Sequence, residues 1–114
     1  LYILLDQKVE VDFFDMEEKH TSRLTSQLAE VDEKSDFMRA IQNVVVKSDS
    51  GVTLFTDTLS WDHAQGTIYT DDFVKITTEK QDTLYGIGFE SDVQMKRWKI
   101  LHPSGVTNRG DDEK

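Results

Sequence analysis

Three aspartates recur at intervals of thirty residues, and carboxylates in register are the side chains of this chain best suited to acid–base chemistry. They are Asp32, Asp62 and Asp92, and each directly follows a run of β-forming residues. A carboxylate at that position usually accepts hydrogen bonds from backbone N–H groups of the following turn. We therefore interpret the three aspartates as turn residues rather than as general acids.

The three histidines are the other candidates for chemistry, because imidazole is a common metal ligand. His20, His63 and His102 lie in or beside predicted turns and share no His-x-x-x-His or His-Glu spacing. Cysteine is absent, which excludes disulfides and thiolate sites. The sequence predicts no metal site and no cofactor, and it predicts that the histidines are solvated.

An enzyme acting on carbohydrates would need two carboxylates that converge in one cleft. Asp57, Asp71 and Asp72 are the nearest candidates, but exposed positions in turns or strands explain them better. Gly86-Ile87-Gly88 lacks the third glycine and the following helix of a dinucleotide-binding loop. We predict that the chain is not an enzyme.

The charge balance restricts the class of partner. The chain has 22 acidic and 13 basic residues, a net charge of −9, and no basic run. This composition argues against nucleic acid and against docking on an anionic membrane surface. Apolar ligands or other proteins are the expected partners.

The thirty-residue period extends to the apolar residues, beginning with Leu24, Leu54 and Leu84. A unit of this size could not bury its own apolar face, so the copies are expected to stack. The remaining apolar columns of the period are Phe14/Val44/Val74, Met16/Val46/Ile76, Ala29/Leu59/Phe89 and Met38/Ile68/Trp98.

The pattern inside each copy predicts strands, because β-branched and aromatic runs alternate with polar turns. We expect an all-β domain over residues 1–106, built as two facing antiparallel sheets of stacked hairpins (a β-jellyroll or β-taco) with open edges, and a disordered tail over residues 107–114. A bulge between Leu54 and Leu59 would bring Leu54, Leu59 and Trp61 to one face. The predicted strands are 2–5, 8–14, 22–31, 37–47, 52–61, 67–78, 83–90 and 97–101.

The apolar columns and large aromatics admit two interpretations. In the first they fill a packed core, as stacked β repeats require. In the second the two sheets leave an apolar trough that accepts acyl chains. Spacing alone does not separate the two, and Phe55, Trp61, Phe73, Phe89 and Trp98 suit either.

Four short segments stand out along the chain: Asn43-Val44-Val45-Val46, Thr56-Asp57-Thr58-Leu59, Ile68-Tyr69-Thr70-Asp71 and Gly86-Ile87-Gly88-Phe89-Glu90-Ser91-Asp92. In this order, and over nearly the whole chain, they resemble the periplasmic domain of the LptC family, and the final segment looks most like the versions found in Bacteroidetes. Where we would expect glycine from the family pattern, this chain has Lys8, Glu18 and Gln42, which puts the local geometry there in question.

The resemblance implies a role in lipopolysaccharide export. It implies an OstA/LptA-like fold whose trough receives lipopolysaccharide from an inner-membrane ABC transporter and passes it to LptA along a periplasmic bridge. The trough lining would be Val44, Val46, Leu54, Leu59, Trp61, Ile68, Val74, Ile76, Leu84 and Phe89.

The resemblance also implies partners at both ends of the sheet. The N-terminal edge would pair with the LptB2FG transporter and the C-terminal edge with LptA, and open edges could also pair with a second copy. The domain would lie in the periplasm, held at the inner membrane by an N-terminal helix preceding Leu1. The edge residues would be Tyr2, Ile3, Leu4, Val9, Val11, Trp98, Ile100 and Gly105.

One alternative from a different class remains beside the conduit. A structural adaptor would work through edge-strand pairing alone, with a filled core and no lipid binding. Charges or prolines at Ile3 or Ile100 would then disrupt assembly.

Overall fold

Seven antiparallel strands account for most of the chain, which confirms the all-β prediction. The computed structural model describes residues 2–32, 34–35 and 37–107. The two strands predicted over residues 2–5 and 8–14 are a single strand, because the chain continues through a bulge instead of turning. The strands are β1 (Tyr2–Phe14), β2 (His20–Asp32), β3 (Phe37–Ser48), β4 (Thr53–Asp62), β5 (Thr67–Thr77), β6 (Thr83–Asp92) and β7 (Trp98–Thr107).

Each strand pairs with the next along the chain, so the hydrogen-bonded order is β1-β2-β3-β4-β5-β6-β7. The two predicted sheets are therefore halves of one continuous sheet. β1 and β7 are its edges, as expected from the open-edge argument. Among the residues described, no helix is long and apolar enough to cross a membrane.

A line of register shifts crosses the sheet near the middle of the strand pairs from β1–β2 to β5–β6. The shifts fall between Asp6 and Val9 in β1, between Thr25 and Leu28 in β2, and at matching places in the next three pairs. In the β6–β7 pair the shift lies nearer the start of β6, between Tyr85 and Gly86. Bulges bend and twist the strands that contain them. Because the bulges are aligned, they form a crease along which the whole sheet folds.

The crease divides the sheet into two layers whose apolar faces meet. The Phe13 ring in the first layer contacts the Trp61 ring in the second edge-to-face, with 4.9 Å between centroids. The first layer comprises residues 9–14, 20–25, 44–48, 53–56, 73–77, 83–86 and 105–107, and the second comprises 2–6, 28–32, 37–41, 58–62, 67–70, 89–92 and 98–100.

The predicted bulge in β4 is present. β4 and β5 change register between Thr56 and Ser60. Leu54 and Leu59 are consequently 0% and 1% exposed, and Trp61 packs on the same core. The break in strict alternation between Leu54 and Leu59 thus indicated, in the sequence, where β4 crosses the crease.

Left-handed backbone occurs where the sequence departs from the family's glycines. Lys8, Glu18 and Gln42 have φ values of 44°, 65° and 69°. Residues other than glycine adopt this region at an energetic cost. The lack of glycine at these three positions therefore strains the local backbone, but the strands around them still form.

The core forms between the layers, and it follows the thirty-residue period except at two positions of the first copy. Phe14 is 55% exposed and Met16 is fully exposed, although their columns predicted burial. Phe13 takes the interior place instead, because alternation in β1 turns Phe14 outward. The buried core cluster contains Phe13, Leu24, Ala40, Val44, Val46, Leu54, Leu59, Ile68, Val74, Ile76, Phe89 and Met95.

Two of the large aromatics face outward, so the expectation that they line a core or trough is wrong for them. Phe55 and Phe73 are 38% and 54% exposed. Each neighbours an inward-facing residue in its strand, so alternation places it on the outer face. There the Lys75 ammonium lies 5.4 Å from the Phe55 ring, and Phe73 stacks on Tyr85.

The boundary at the C-terminus differs by one residue from the prediction. Thr107 pairs with Thr83 as the last residue of β7, whereas the sequence assigned it to the tail. The rest of the predicted tail, residues 108–114, lies outside the described residues.

Candidate functional site

The space between the two layers is the candidate site. The structure places all ten residues predicted to line a trough on the inner side of the folded sheet. Eight of them are at most 1% exposed, while Trp61 and Leu84 are half-buried against the same cluster. These residues of the thirty-residue period thus share the inner face of the sheet, as the stacking of repeats predicts.

The interior is closely packed in this conformation. Phe89 stacks near Trp98 with 6.3 Å between ring centroids. Phe13 and Met95 complete the packing and are 5% and 1% exposed. An acyl chain would have to displace side chains or part the layers to enter.

The turn from β6 to β7, residues 92–97, covers the mouth between the layers, opposite the crease. Met95 lies in this turn with φ of 61° and inserts into the core. The Ser22 hydroxyl, fully buried in the first layer, donates to the Val93 carbonyl oxygen at 2.9 Å. This bond joins the two lips of the mouth.

The same turn is braced by its own backbone and by its neighbour. The Val93 N–H donates to the Gly66 carbonyl oxygen at 3.2 Å, and the Met95 N–H to the Asp92 carbonyl oxygen at 3.0 Å. The Asp92 carboxylate accepts from the N–H groups of Lys96 and Arg97 at 2.9 and 3.2 Å. Sequence analysis missed Met95 and Ser22; an apolar pair, Val93 and Met95, inside a turn segment was the available signal.

Hydroxyl groups line the crease and satisfy the backbone that the bulges leave unpaired. Ser26 donates to the Leu28 carbonyl oxygen at 2.8 Å, and Thr56 to that of Phe73 at 2.9 Å. Thr58 donates to the Asp72 carboxylate. Buried backbone groups need such partners, so these hydroxyls stabilise the bend.

The predicted edge residues all lie on β1 or β7. Val9, Val11, Trp98 and Ile100 turn their side chains toward the core, and Val9 is 8% exposed. Gly105 pairs with Tyr85 through the backbone. The backbone of Tyr2, Ile3 and Leu4 pairs with Asp32, Val31 and Glu30. Because β1 and β7 are the outer strands of the sheet, each pairs with a neighbouring strand on one side.

His20 is not a free turn residue, contrary to the expectation from sequence. It begins β2, and its Nδ1 and Nε2 atoms lie 2.8 Å from carboxylate oxygens of Asp49 and Asp12. Hydrogen bonds to Asp49 and then to Asp12 raise the pKa of the imidazole. Sequence spacing missed the trio because its members come from three separate segments.

Asp12 also pairs with Arg23, whose Nε lies 2.8 Å from Oδ1. Hydrogen bonds from Arg23 and then from His20 lower the pKa of Asp12 to about 2. The three side chains stay 32–51% exposed. The cluster ties β1, β2 and the β3–β4 turn together.

The recurring aspartates act as the sequence predicted. Asp32, Asp62 and Asp92 end β2, β4 and β6. Their Oδ1 atoms accept from the N–H groups of Lys34 at 3.1 Å, Gln65 at 3.2 Å and Lys96 at 2.9 Å. Each carboxylate therefore shapes a turn.

The carboxylates considered for catalysis lie outside the core. Asp57 and Asp71 are exposed, and Asp72 is half-buried at the bulge. Within residues 2–32, 34–35 and 37–107, no group of three or more His, Asp or Glu side chains is placed to hold a metal ion. The apolar interior between the two layers is therefore the candidate site, rather than these carboxylates.

An open groove of about 510 Å³ flanks the second layer near the mouth. Arg97 and Lys99 line it together with Tyr69, Trp98 and Glu90. The glutamate partly offsets the two cations, so the groove is not strongly basic.

A family model described as "Lipopolysaccharide-assembly, LptC-related" matches residues 5–106. The fold is similar to the crystal structure of LptH from Pseudomonas aeruginosa, described as the LptA-homologous periplasmic component of a lipopolysaccharide transport device. The TM-score is 0.58 at 11% identity, over 88% of this chain and 81% of the other. No curated protein matches the sequence.

Proposed function

The chain belongs to the LptC-related family of lipopolysaccharide-assembly proteins, and we propose that it is a passive conduit in lipopolysaccharide transport. Its layers would take up the acyl chains, and the sugars would remain outside. The protein would supply no chemical step.

The observation that carries this proposal is the single apolar interior of a sheet with two open edges. Ten predicted lining residues share that interior, and the outer surface is acidic and polar by comparison. Acyl chains bind in such spaces through apolar area alone. The net charge of −9 disfavours tight retention of anionic head groups, which suits release to the next protein.

The proposal includes a direction of transfer. Lipopolysaccharide would come from the inner-membrane ABC transporter, docked at β1, and leave to LptA, docked at β7. Edge strands with free backbone groups pair readily with another chain's strand. The domain would work in the periplasm, anchored at the inner membrane through chain preceding Leu1.

A photo-crosslinking amino acid at Phe89 tests the conduit, with the same amino acid at Phe73 as the matched control. Phe89 is 0% exposed on the inner face and Phe73 is 54% exposed on the outer face. When the folded domain is loaded by the transporter, capture of lipopolysaccharide at Phe89 alone is expected. Equal capture at both positions, or capture at neither, would contradict the conduit.

A structural adaptor is the second candidate, favoured by the closely packed interior. Eight lining side chains at 1% exposure or less describe a filled core as well as a closed trough. The adaptor requires both edge partners and no lipid. The adaptor would be the conclusion if no lipopolysaccharide is captured at Phe89 while both edge strands still bind their protein partners.

Photo-crosslinkers at exposed edge positions test the partner assignment. Glu10 on β1 and Lys99 on β7 have exposed side chains beside the edges, and Asp57 in the middle of the sheet serves as the control. We expect the transporter to be captured from Glu10 and LptA from Lys99. Reversed or indiscriminate capture would refute the assigned polarity.

A further inference from the structure

The closed interior raises the question of where an acyl chain would enter. The crease is sealed by paired backbone and hydroxyls, so it offers no opening without breaking several strand pairs. The two sheet edges, β1 and β7, lie at the ends of the layers and are the surfaces that the proposed partners would cover. The remaining side is the mouth, where the turns of the two layers face each other.

One turn spans that mouth and ties its lips together. Ser22 belongs to the first layer, and Val93 follows the end of β6 in the second layer, 71 residues away in sequence. Their hydrogen bond therefore crosses from one layer to the other. A residue buried at 0%, with its hydroxyl aimed across the mouth, is suited to hold the turn shut.

Met95 fills the space beneath this bond. It is 1% exposed and belongs to the core cluster, although it sits in a turn between the polar residues Gln94 and Lys96. Methionine is flexible and can vacate or refill an irregular gap at little cost in strain. Its φ of 61° shows that the backbone is held in a left-handed conformation to point this side chain inward.

The opposite lip lies beside the turn, because Ser22, near the start of β2, bonds to Val93. The N–H groups of Lys19 and Glu17 and, to a smaller extent, the charge of Lys96 lower the pKa of Asp15 in the β1–β2 turn. The β6–β7 turn is also held within its own layer, since the Val93 N–H donates to the Gly66 carbonyl oxygen at 3.2 Å and the Val93 side chain packs against the core. The Ser22 hydroxyl is the donor that ties this turn to the other layer.

We propose that the β6–β7 turn, residues 92–97, is the portal of the acyl-chain site, with Met95 as its plug and the Ser22–Val93 hydrogen bond as its latch. This inference rests on the proposed function and names the place where chains enter. Outward movement of the turn would withdraw Met95 and expose Leu24, Phe13 and Trp61 along the lip.

Ser22→Ala tests the latch, and Ser26→Ala is its matched control. Both serines are buried in β2 and donate to a backbone carbonyl, but Ser26 donates to Leu28 within its own strand. Uptake of a fluorescent BODIPY-labelled fatty acid is followed by stopped flow. Loss of one neutral hydrogen bond should speed uptake about fivefold in Ser22→Ala, with Ser26→Ala unchanged.

A covalent lock provides a second measurement that does not depend on a weakened variant. The chain contains no cysteine, so Ser22→Cys combined with Val93→Cys gives one defined pair. Joining them by a disulfide or a short bis-thiol crosslinker should abolish uptake, and cleavage of a disulfide with reductant should restore it. Circular dichroism and thermal melting confirm that each form is folded.

The outcomes separate the portal from the conduit. Uptake that proceeds equally in the locked and reduced forms, or equal rates in the two serine variants, overturns the portal while leaving the conduit standing. If the unmodified protein and every variant take up no probe, the conduit fails and the portal fails with it.

Discussion

At the residue scale, the His20 cluster makes stability depend on pH. Hydrogen bonds to Asp49 and Asp12 raise the pKa of His20 in the folded state, so protonated His20 stabilises the fold. This stabilisation is complete below the ordinary histidine pKa of about 6.5 and is lost as pH rises through the raised value. Urea unfolding at pH 6 and pH 9 should show that loss in the wild type and a smaller one in His20→Gln.

The control for this prediction is His102→Gln, an exposed residue of β7. It should retain the wild-type dependence on pH. Identical slopes for the wild type and His20→Gln would show that the two carboxylates do not interact with the histidine in solution.

At the element scale, the bulges bend the sheet, and substitutions at Gln42, in the bulge of β3, test how much strain they impose on the backbone. Gln42 is an exposed residue of β3 with φ of 69°. Gln42→Gly should raise the free energy of unfolding by about 0.5–1 kcal/mol, and Gln42→Val should lower it by about 1–2 kcal/mol, since a β-branched residue tolerates this backbone least. Equal stabilities of the two variants in urea titration would mean that the bulge relaxes.

Gly86 governs a second element, the attachment of the edge strand β7. A methyl group added there would lie 2.7 Å from the His102 carbonyl oxygen and 3.1 Å from Pro103 Cα. Gly86→Ala should therefore loosen β7 and increase amide exchange in both β6 and β7. Gly66→Ala is the control for space, because nothing lies within 4 Å of its added carbon, although its φ of 67° also strains alanine. Exchange in β7 that matches that of Gly66→Ala would refute the steric explanation.

At the scale of the whole molecule, one core between two layers carries the stability. Phe89→Ala should cost about 3–5 kcal/mol, as large-to-small changes in packed cores do. Phe73→Ala, which removes the same ring from the outer face, should cost under about 1 kcal/mol. Similar losses in denaturant titration would mean that the interior is loosely filled even without lipid.

The sequence alone determined the all-β class, the repeat and most of the inner face. The inward positions of Leu54, Leu59 and Phe89 could be predicted, because alternation along a strand and the thirty-residue period depend only on residues nearby in sequence or in the next copy. Asp32, Asp62 and Asp92 were assigned to turns for the same reason, because a carboxylate bonds to N–H groups a few residues away. The family resemblance rested on segments of this kind.

Only the tertiary structure decided what the fold brings together from distant segments. Folding along the crease places Phe13 against Trp61 and Ser22 against Val93, and it joins His20 to Asp12 and Asp49. It also decided that Phe14, Phe55 and Phe73 face outward, because alternation shows only which residues share a face of a strand, and the folded sheet decides which face is buried. These contacts cannot be predicted from spacing in the sequence, because they depend on how the bulges of several strands align across the sheet.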